Sequence, residues 1–230
     1  MKKIILSLFS ITLFVSCSTT NNNITRGTNY PNVYTEKPVS ILIMPPINKT
    51  VNVEAKEYFY TSMSAPLCEK GYYVISPFLA MDLLKSESAY DSEMFINNNN
   101  LSSFRSVFGA DVVLFTIINE WSKSTIGSSI TVNIEYILKS TTTNETLFNR
   151  TGELTLDTSI NSGSSAGAFG ALFDMVASAV NTTLVDKVVA ARRCNQFMLG
   201  DLPEGKYAPL YGNDKDMRSG SKFFKGVVKQ

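Results

Sequence analysis

Cys17 is the side chain whose place in the sequence specifies a chemistry most directly. It follows the small residue Ser16 at the end of an uncharged apolar run, residues 4–15, which Lys2 and Lys3 precede. A charged start, a short apolar stretch and a small residue at the cut are typical of an export signal. A cysteine directly after that cut is the bacterial lipoprotein pattern, in which the thiol carries diacylglycerol and palmitate is among the acyl chains. The sequence predicts lipidation of Cys17, with cleavage without lipidation as the alternative.

Acyl chains on Cys17 would hold the mature chain on a membrane without a spanning helix. Each buried methylene gives about 0.8 kcal/mol of membrane affinity, so two or three chains anchor a protein stably. Ser18 follows the cysteine, whereas Asp there is the usual signal for retention in the inner membrane. We therefore expect a protein that is lipid-anchored in the outer membrane and faces the periplasm.

The chain contains no histidine, which excludes an imidazole base and a histidine zinc ligand. Chemistry with carboxylates alone stays open, and Glu87, Asp91 and Glu93 are the one dense acidic group outside the C-terminal tail. Helical spacing would put Glu87 and Asp91 on one face, as paired catalytic carboxylates require. A solvated acidic face is the simpler interpretation. We expect no enzymatic activity, no catalytic residues, no cofactor and no metal site.

Two further cysteines, Cys68 and Cys194, remain if Cys17 is acylated. An isolated pair can form a disulfide in an oxidising periplasm. Two separate buried thiols are the other interpretation, and the spacing does not decide between them.

Composition and charge limit the class of protein and its partners. The 230 residues carry a formal net charge of +1, and loss of the two lysines of the signal makes it −1. A near-neutral chain lacks the basic footprint of a nucleic-acid-binding protein. We divide the chain into a signal peptide (1–16), a lipidated N-terminus and flexible Ser-, Thr- and Asn-rich tether (17–37), a single α/β domain (38–212) and a polar basic tail that we expect to be mobile (213–230).

Hydrophobic periodicity and turn residues predict the elements of the domain. The pattern predicts a helix over 54–70 that Pro66 kinks or ends and Gly71 closes, and Gly152 indicates a bulge in the last strand. The order of elements is typical of an α/β (α+β) fold with a mixed β-sheet and helices packed on it. The predicted strands are 39–44, 72–75, 111–121, 130–139 and 145–157, and the other predicted helices are 78–84, 101–108 and 169–192.

Two groups of side chains have both a packing and a binding interpretation. Small residues flank the last helix (Ala171, Ala177, Ala179, Ala190 and Ala191), which permits close packing on its own sheet or a contact between subunits of a homo-oligomer. Aromatic side chains (Tyr58, Phe59, Tyr60, Tyr72 and Tyr73) fit the core and its edge, or a recognition patch.

Seven stretches between residues 39 and 212 resemble a family of bacterial lipoproteins of unassigned function, typified by a neisserial genome-derived surface-antigen candidate. They cover nearly the whole predicted domain and are specific as a set. The stretches are 42–48 (LIMPPIN), 55–60 (AKEYFY), 71–74 (GYYV), 87–93 (ESAYDSE), 108–111 (FGAD), 135–141 (EYILKST) and 201–212, with DLP, GKY and PLYG.

The resemblance implies an outer-membrane-anchored periplasmic domain with an α/β fold. That fold is similar to the N-terminal domain of the Tol-system propeller protein and to the periplasmic domains of curli-secretion-type lipoproteins, which oligomerise. The family has no catalytic residues to transfer. The implied partners are the membrane and envelope proteins such as a curli-secretion-like lipoprotein.

Two functional interpretations follow. In the first, the protein is a non-enzymatic adaptor or assembly component of a cell-envelope secretion or transport complex. In the alternative, it is a lipoprotein regulator of a peptidoglycan synthase. A tether of some twenty residues extends at most about 70 Å, which favours a partner close to the outer membrane.

Overall fold

The computed structural model describes residues 24–97, 100–124, 129–157 and 182–228. Its helices are α1 (Arg26–Asn29), α2 (Pro31–Glu36), α3 (Ala55–Ser62), α4 (Ser64–Glu69), α5 (Pro77–Ser86), α6 (Ser92–Ile96), α7 (Ser102–Phe108) and α8 (Thr182–Leu199). Its strands are β1 (Ser40–Ile43), β2 (Ile47–Asn48), β3 (Tyr73–Val74), β4 (Val112–Lys123), β5 (Ser129–Ser140), β6 (Thr146–Asp157) and β7 (Phe223–Val228). The predicted signal peptide and Cys17 lie outside the described residues.

The described strands form one mixed seven-stranded sheet in the order β3-β1-β4-β5-β6-β7, with β2 paired to β4 beyond the end of β1. Strands β1, β3 and β4 run parallel to one another, and the long strands β4, β5 and β6 are antiparallel. Residues of β1 alternate between two apolar clusters, Ile41 and Ile43 in one and Leu42 in the other. Helices therefore pack on both faces of this strand. This confirms the predicted α/β fold class with a mixed sheet.

The two apolar clusters belong to different sets of helices. On one face, Phe59 and Met63 of α3 and its C-terminal flank join Ile41, Ile43 and residues of α8. On the other face, Ala80 and Leu84 of α5 pack with Phe104 of α7 against Leu42 and Met44. The sheet therefore divides a three-layer core, and β1 is buried at its centre.

Pro66 does not end a helix where the sequence indicates. The break falls at Met63, the residue between α3 and α4, and Pro66 lies in the first turn of α4. Proline is tolerated there because an N–H in the first helical turn has no intrahelical acceptor. The predicted long helix is thus two helices, and Gly71 follows the second with φ of 77°.

The predicted tether is folded from residue 24 onward, which corrects the expectation for 17–37 over its described part. Tyr30 is buried and its ring lies 4.8 Å from that of Phe148 of β6. Arg26 is buried in an ion-paired cluster. Pro31 begins α2, where its fixed φ favours a helix start. The polar composition of residues 17–37 predicts flexibility, because contacts with residues far along the chain leave no pattern in the local sequence.

The predicted mobile tail is also ordered over its described part, residues 213–228. Strand β7 pairs in parallel with β6, and the Phe224 ring packs 4.8 Å from that of Phe197 of α8. Gly152 opposes Phe224 without a bulge, and a Cβ at Gly152 would lie 2.7 Å from the Met198 sulfur. The glycine therefore permits the close approach of α8 to β6 rather than a bulge.

A buried polar network joins three of these elements. The Tyr136 hydroxyl of β5 donates to the side-chain oxygen of Asn195 in α8. The Asn195 amide donates to the carbonyl of Phe59 at 3.1 Å and to the Ser62 hydroxyl at 2.8 Å, both in α3. Tyr136, Asn195 and Phe59 are buried and Ser62 is half-buried, so the network fixes α3 and α8 on the sheet. Helix α8 continues to Leu199, beyond the predicted end at Arg192.

Candidate functional site

A groove of about 400 Å³ opens at the carboxyl end of β1. Pro45 and Pro46 end the pairing of β1 with β4, since proline has no N–H to donate. From Ile43 to Ile47 the chain advances four residues while its β4 partners advance three, from Leu114 to Ile117. The extra residue moves the prolines out of the sheet, and they form the groove floor. The groove is lined by Pro45, Pro46, Ile47, Asn48, Thr50, Val53, Lys56, Tyr90, Asp91, Ser92 and Glu93.

One wall of the groove is a loop that its own side chains hold in shape. The Asn48 side-chain oxygen accepts from the backbone N–H and hydroxyl of Thr50 at 3.1 and 2.8 Å. The Asn48 amide donates to the Asn52 carbonyl at 2.7 Å, and the Thr50 hydroxyl accepts from the Asn52 N–H at 3.1 Å. This arrangement leaves Val51 99% and Val53 74% exposed. The loop thus presents two apolar side chains to solvent on a fixed backbone.

The acidic segment before and within α6 also lines the groove. Asp91 is the N-cap of α6 and accepts from the Glu93 N–H at 3.0 Å. The buried Ser92 hydroxyl donates to the Pro45 carbonyl. Two of the stretches that carry the family resemblance, 42–48 and 87–93, therefore meet at this groove.

The paired-carboxylate arrangement of Glu87 and Asp91 is not formed. Glu87 caps the C-terminus of α5, Asp91 caps the N-terminus of α6, and Ser88 with φ of 54° turns the chain between them. Glu87 does not line the groove, and all three acidic side chains, Glu93 included, are exposed. The geometry fits the solvated acidic face better than a catalytic pair.

The two cysteines are both free thiols, but they differ in solvent exposure. Cys68 is a free, exposed thiol of α4, and Cys194 is a free, fully buried thiol of α8. Burial raises the pKa of the Cys194 thiol to about 12, so that it stays protonated at neutral pH. The structure therefore has the separate-thiol arrangement rather than the Cys68–Cys194 disulfide. Cys194 is a core residue that contacts the Tyr136 network.

The other predicted groups resolve mainly into core. Phe59, Tyr60 and Tyr72 are buried, while Tyr73 is exposed at the sheet edge. Ala190 and Ala191 pack in the core cluster of the protein's own sheet, and the alanines at 171, 177 and 179 lie outside the described residues. In the part of the chain that the structure describes, no three His, Cys, Asp or Glu side chains are grouped as metal ligands would be.

A second cavity, which the sequence did not indicate, lies near the amino end of β1. It has a volume of about 190 Å³ between α2 and the segment after α8. Lys37 and Lys215 line it together with Tyr34, whose hydroxyl is buried and has no hydrogen-bond partner among the described residues. Burial raises the pKa of Tyr34 well above its ordinary value, with the charge of Asp214 as the next cause. No local pattern could indicate this site, because residues near 34 and near 215 meet only in the fold.

Helices that could cross a membrane are not found among the described residues. A Neisseria meningitidis serogroup B protein, Putative lipoprotein NMB1124/NMB1162, is 26% identical over 189 residues, which is 81% of this chain and 85% of that protein. The crystal structure of lipoprotein GNA1162 from Neisseria meningitidis matches 62% of this chain and 97% of its own at 24% identity, with a TM-score of 0.46.

A PelC dodecamer from Paraburkholderia phytofirmans matches 67% of this chain and 89% of its own at 16% identity, with a TM-score of 0.35. Residues 28–206 match the family model whose description is Putative lipoprotein GNA1162-like. This match spans most of the domain, from α1 to the segment after α8. The chain therefore belongs to the GNA1162-like lipoprotein family.

Proposed function

We propose that this lipoprotein is a non-enzymatic adaptor or assembly component of a cell-envelope secretion or transport complex. It is anchored in the outer membrane through Cys17, faces the periplasm and binds a protein partner at the groove beside Pro45. The observation that supports this proposal is the rigid loop that exposes Val51 and Val53 beside the groove.

Exposed apolar side chains on a fixed backbone suit protein recognition. Grouped apolar side chains, unlike single exposed ones, mark protein interaction sites, and Val51 and Val53 belong to one loop at the groove. Because the Asn48 and Thr50 hydrogen bonds already order the loop, little conformational entropy is lost on binding. The solvated Asp91 and Glu93 add a polar rim of the kind that surrounds interface cores.

The short connection to the anchor also supports a partner near the outer membrane. Ile24, the first described residue, is the seventh residue after Cys17. Seven residues extend at most about 25 Å, compared with about 70 Å for the tether expected from the sequence. A regulator of an inner-membrane peptidoglycan synthase would need the longer reach, so the first interpretation is favoured.

Site-specific cross-linking in intact envelopes tests the proposal. A photoreactive amino acid at Val51 of the lipidated protein should cross-link to a secretion or transport component, and the exposed Val107 of α7 provides the control position. Cross-linking of Val51 to a cell-wall synthase would refute the adaptor proposal. Equal cross-linking at Val51 and Val107 would show that the groove is not the binding site. Incorporation of labelled palmitate that Cys17→Ser abolishes tests the anchor separately.

A further inference from the structure

A strip of the chain from Lys215 to Lys222 lies directly beside the point where the domain begins. The Ile24 carbonyl accepts from the Ser219 N–H at 2.7 Å, and the Arg26 N–H donates to the Met217 carbonyl at 2.9 Å. Thr25 pairs with Arg218 in an isolated antiparallel bridge. An anchor attached to the chain before Ile24 therefore keeps this strip near the anchor. We call residues 215–222 with Ile24 the basal strip.

The basal strip combines cations with exposed apolar groups. Lys215, Arg218 and Lys222 are exposed, and Asp216 is the one exposed carboxylate of the strip. The ammonium groups of Lys215 and Lys222 lie 5.4 and 6.0 Å from the ring centroids of Tyr34 and Tyr30, so both are positioned over α2 and its N-cap. Ile24 is 42% and Met217 41% exposed in the same strip.

The cavity between α2 and the segment after α8 adjoins this strip. Lys215 belongs to both, and Lys37 stands on the other side of the cavity. The Glu204 carboxylate in the lining is already paired with Lys70 at 2.9 Å and with Arg26 at 3.3 Å. Lys37 and Lys215 are thus the cationic groups of the lining that are left to meet an anion, such as the phosphate of a headgroup.

We propose that the basal strip binds anionic phospholipid headgroups, so that the domain stands on the membrane with α1 and α2 downward. This inference rests on the proposed anchor at Cys17, which keeps the strip within about 25 Å of the lipid surface. Basic residues are attracted to anionic lipid within about a Debye length, roughly 8 Å at physiological salt. The Ile24 and Met217 side chains supply the apolar contact that accompanies such a surface.

The orientation has a geometric consequence for the groove. Lys37 and Pro38 precede β1 and line the cavity between α2 and the segment after α8. Pro45 follows β1 and lines the groove. Seven extended residues span about 23 Å at 3.3 Å per residue. With the basal strip on the lipid, the groove faces away from the membrane at the far end of β1.

Vesicle binding of the mature chain with Cys17→Ser tests the strip independently of lipidation. This chain retains every described residue and should bind vesicles of phosphatidylcholine mixed with phosphatidylglycerol more tightly than vesicles of phosphatidylcholine alone, and less tightly at high salt. Replacing Lys215, Arg218 and Lys222 by Gln should weaken binding by roughly 100-fold, at about fivefold per cation. The exposed Lys49, Lys85 and Lys123, replaced by Gln, give a control of equal charge change. Equal losses in the two triple variants would overturn the proposal.

A polarity-sensitive dye reports which end of the domain meets the lipid. The dye is attached to Ile24→Cys or to Val51→Cys in the mature chain with Cys17→Ser and Cys68→Ser. Its emission should shift to the blue with phosphatidylglycerol vesicles at position 24 and stay unchanged at position 51. A shift at position 51, or none at position 24 when the protein is bound, would refute the orientation. Absence of palmitate on Cys17 of the native chain would refute the anchor and leave both binding results standing.

Discussion

The Arg26 guanidinium donates to the Asp214 carboxylate at 3.0 Å across 188 residues of sequence. Asp214 is completely buried and Arg26 is 7% exposed. The same Asp214 oxygen accepts from the Glu204 N–H at 2.9 Å, and Arg26 also donates to the Gly200 carbonyl at 3.1 Å. The pair therefore joins α1 to the segment that follows α8.

Asp214→Ala should lower the free energy of unfolding by about 3 kcal/mol, because it removes the closer of the two carboxylates paired with the buried Arg26 guanidinium and leaves the Glu204 N–H without its acceptor. Denaturant unfolding followed by circular dichroism measures the change. Arg105→Ala is the matched control, since Arg105 and Asp111 also lie 3.0 Å apart but Arg105 is largely exposed. We expect a loss below about 1 kcal/mol there. Similar losses in the two variants would contradict a special role for burial.

Gly71→Ala and Gly109→Ala should separate backbone strain from a steric clash. Both glycines have positive φ, 77° and 68°, so alanine costs about 1–2 kcal/mol at either site. A Cβ at Gly71 would lie 2.2 Å from the Ala208 nitrogen, whereas none of the described atoms lies within 4 Å of one at Gly109. The clash should destabilise Gly71→Ala by about 1–3 kcal/mol more. Equal thermal unfolding midpoints would contradict the close contact of residues 71 and 208.

Thiol titration should distinguish the two cysteines. In the folded mature chain with Cys17→Ser, a thiol reagent at pH 8 should react quickly with exposed Cys68. It should react with Cys194 only after unfolding, because burial raises the pKa of Cys194 to about 12 and excludes the reagent. Two fast thiols would refute the burial of Cys194. If no thiol reacted before reduction, the result would instead support a Cys68–Cys194 disulfide.

The stability of the protein should fall as the pH rises from 9 towards 12. Burial raises the pKa of Cys194 from 9.0 to about 12 and that of Tyr60 from 10.0 to about 12. The unfolded chain loses these protons at lower pH than the folded chain, so rising pH favours unfolding, by up to about 1.4 kcal/mol per pH unit for each group. Below pH 9 both contributions are fully present. Tyr60→Phe should flatten the fall above pH 10, and an unchanged slope would contradict the assignment.

Local patterns were sufficient for the central elements of the fold. The apolar run at 112–118 and the alternation at 130–138 predicted β4 and β5, because burial on both faces and on one face leave different periodicities. The ends of the domain were not predictable in this way. Arg26 and Tyr30 are stabilised by Asp214 and Phe148, and Phe224 by Phe197. Polar composition carries no record of such distant partners.

The groove was predictable only in part. Pro45 and Pro46 indicate the end of β1, and Glu87, Asp91 and Glu93 form the dense acidic group of the sequence outside the tail. Their meeting depends on the Ser92 bond to Pro45, which spans 47 residues. The turn at Ser88 places Glu87 and Asp91 at the ends of two different helices rather than on one helix face. It was not predictable, because serine seldom adopts a positive φ.

The bridge between Thr25 and Arg218 determines how the domain responds to a mechanical load. A force applied to the chain before Ile24 passes first into the backbone hydrogen bonds with Met217 and Ser219 and into the side-chain contacts of Arg26. The Lys222 carbonyl of the strip accepts from the Thr151 N–H of β6, so part of the load reaches the sheet at β6 rather than at β1. We therefore expect β1, and the groove that follows it, to keep their shape under such a load for as long as these hydrogen bonds hold.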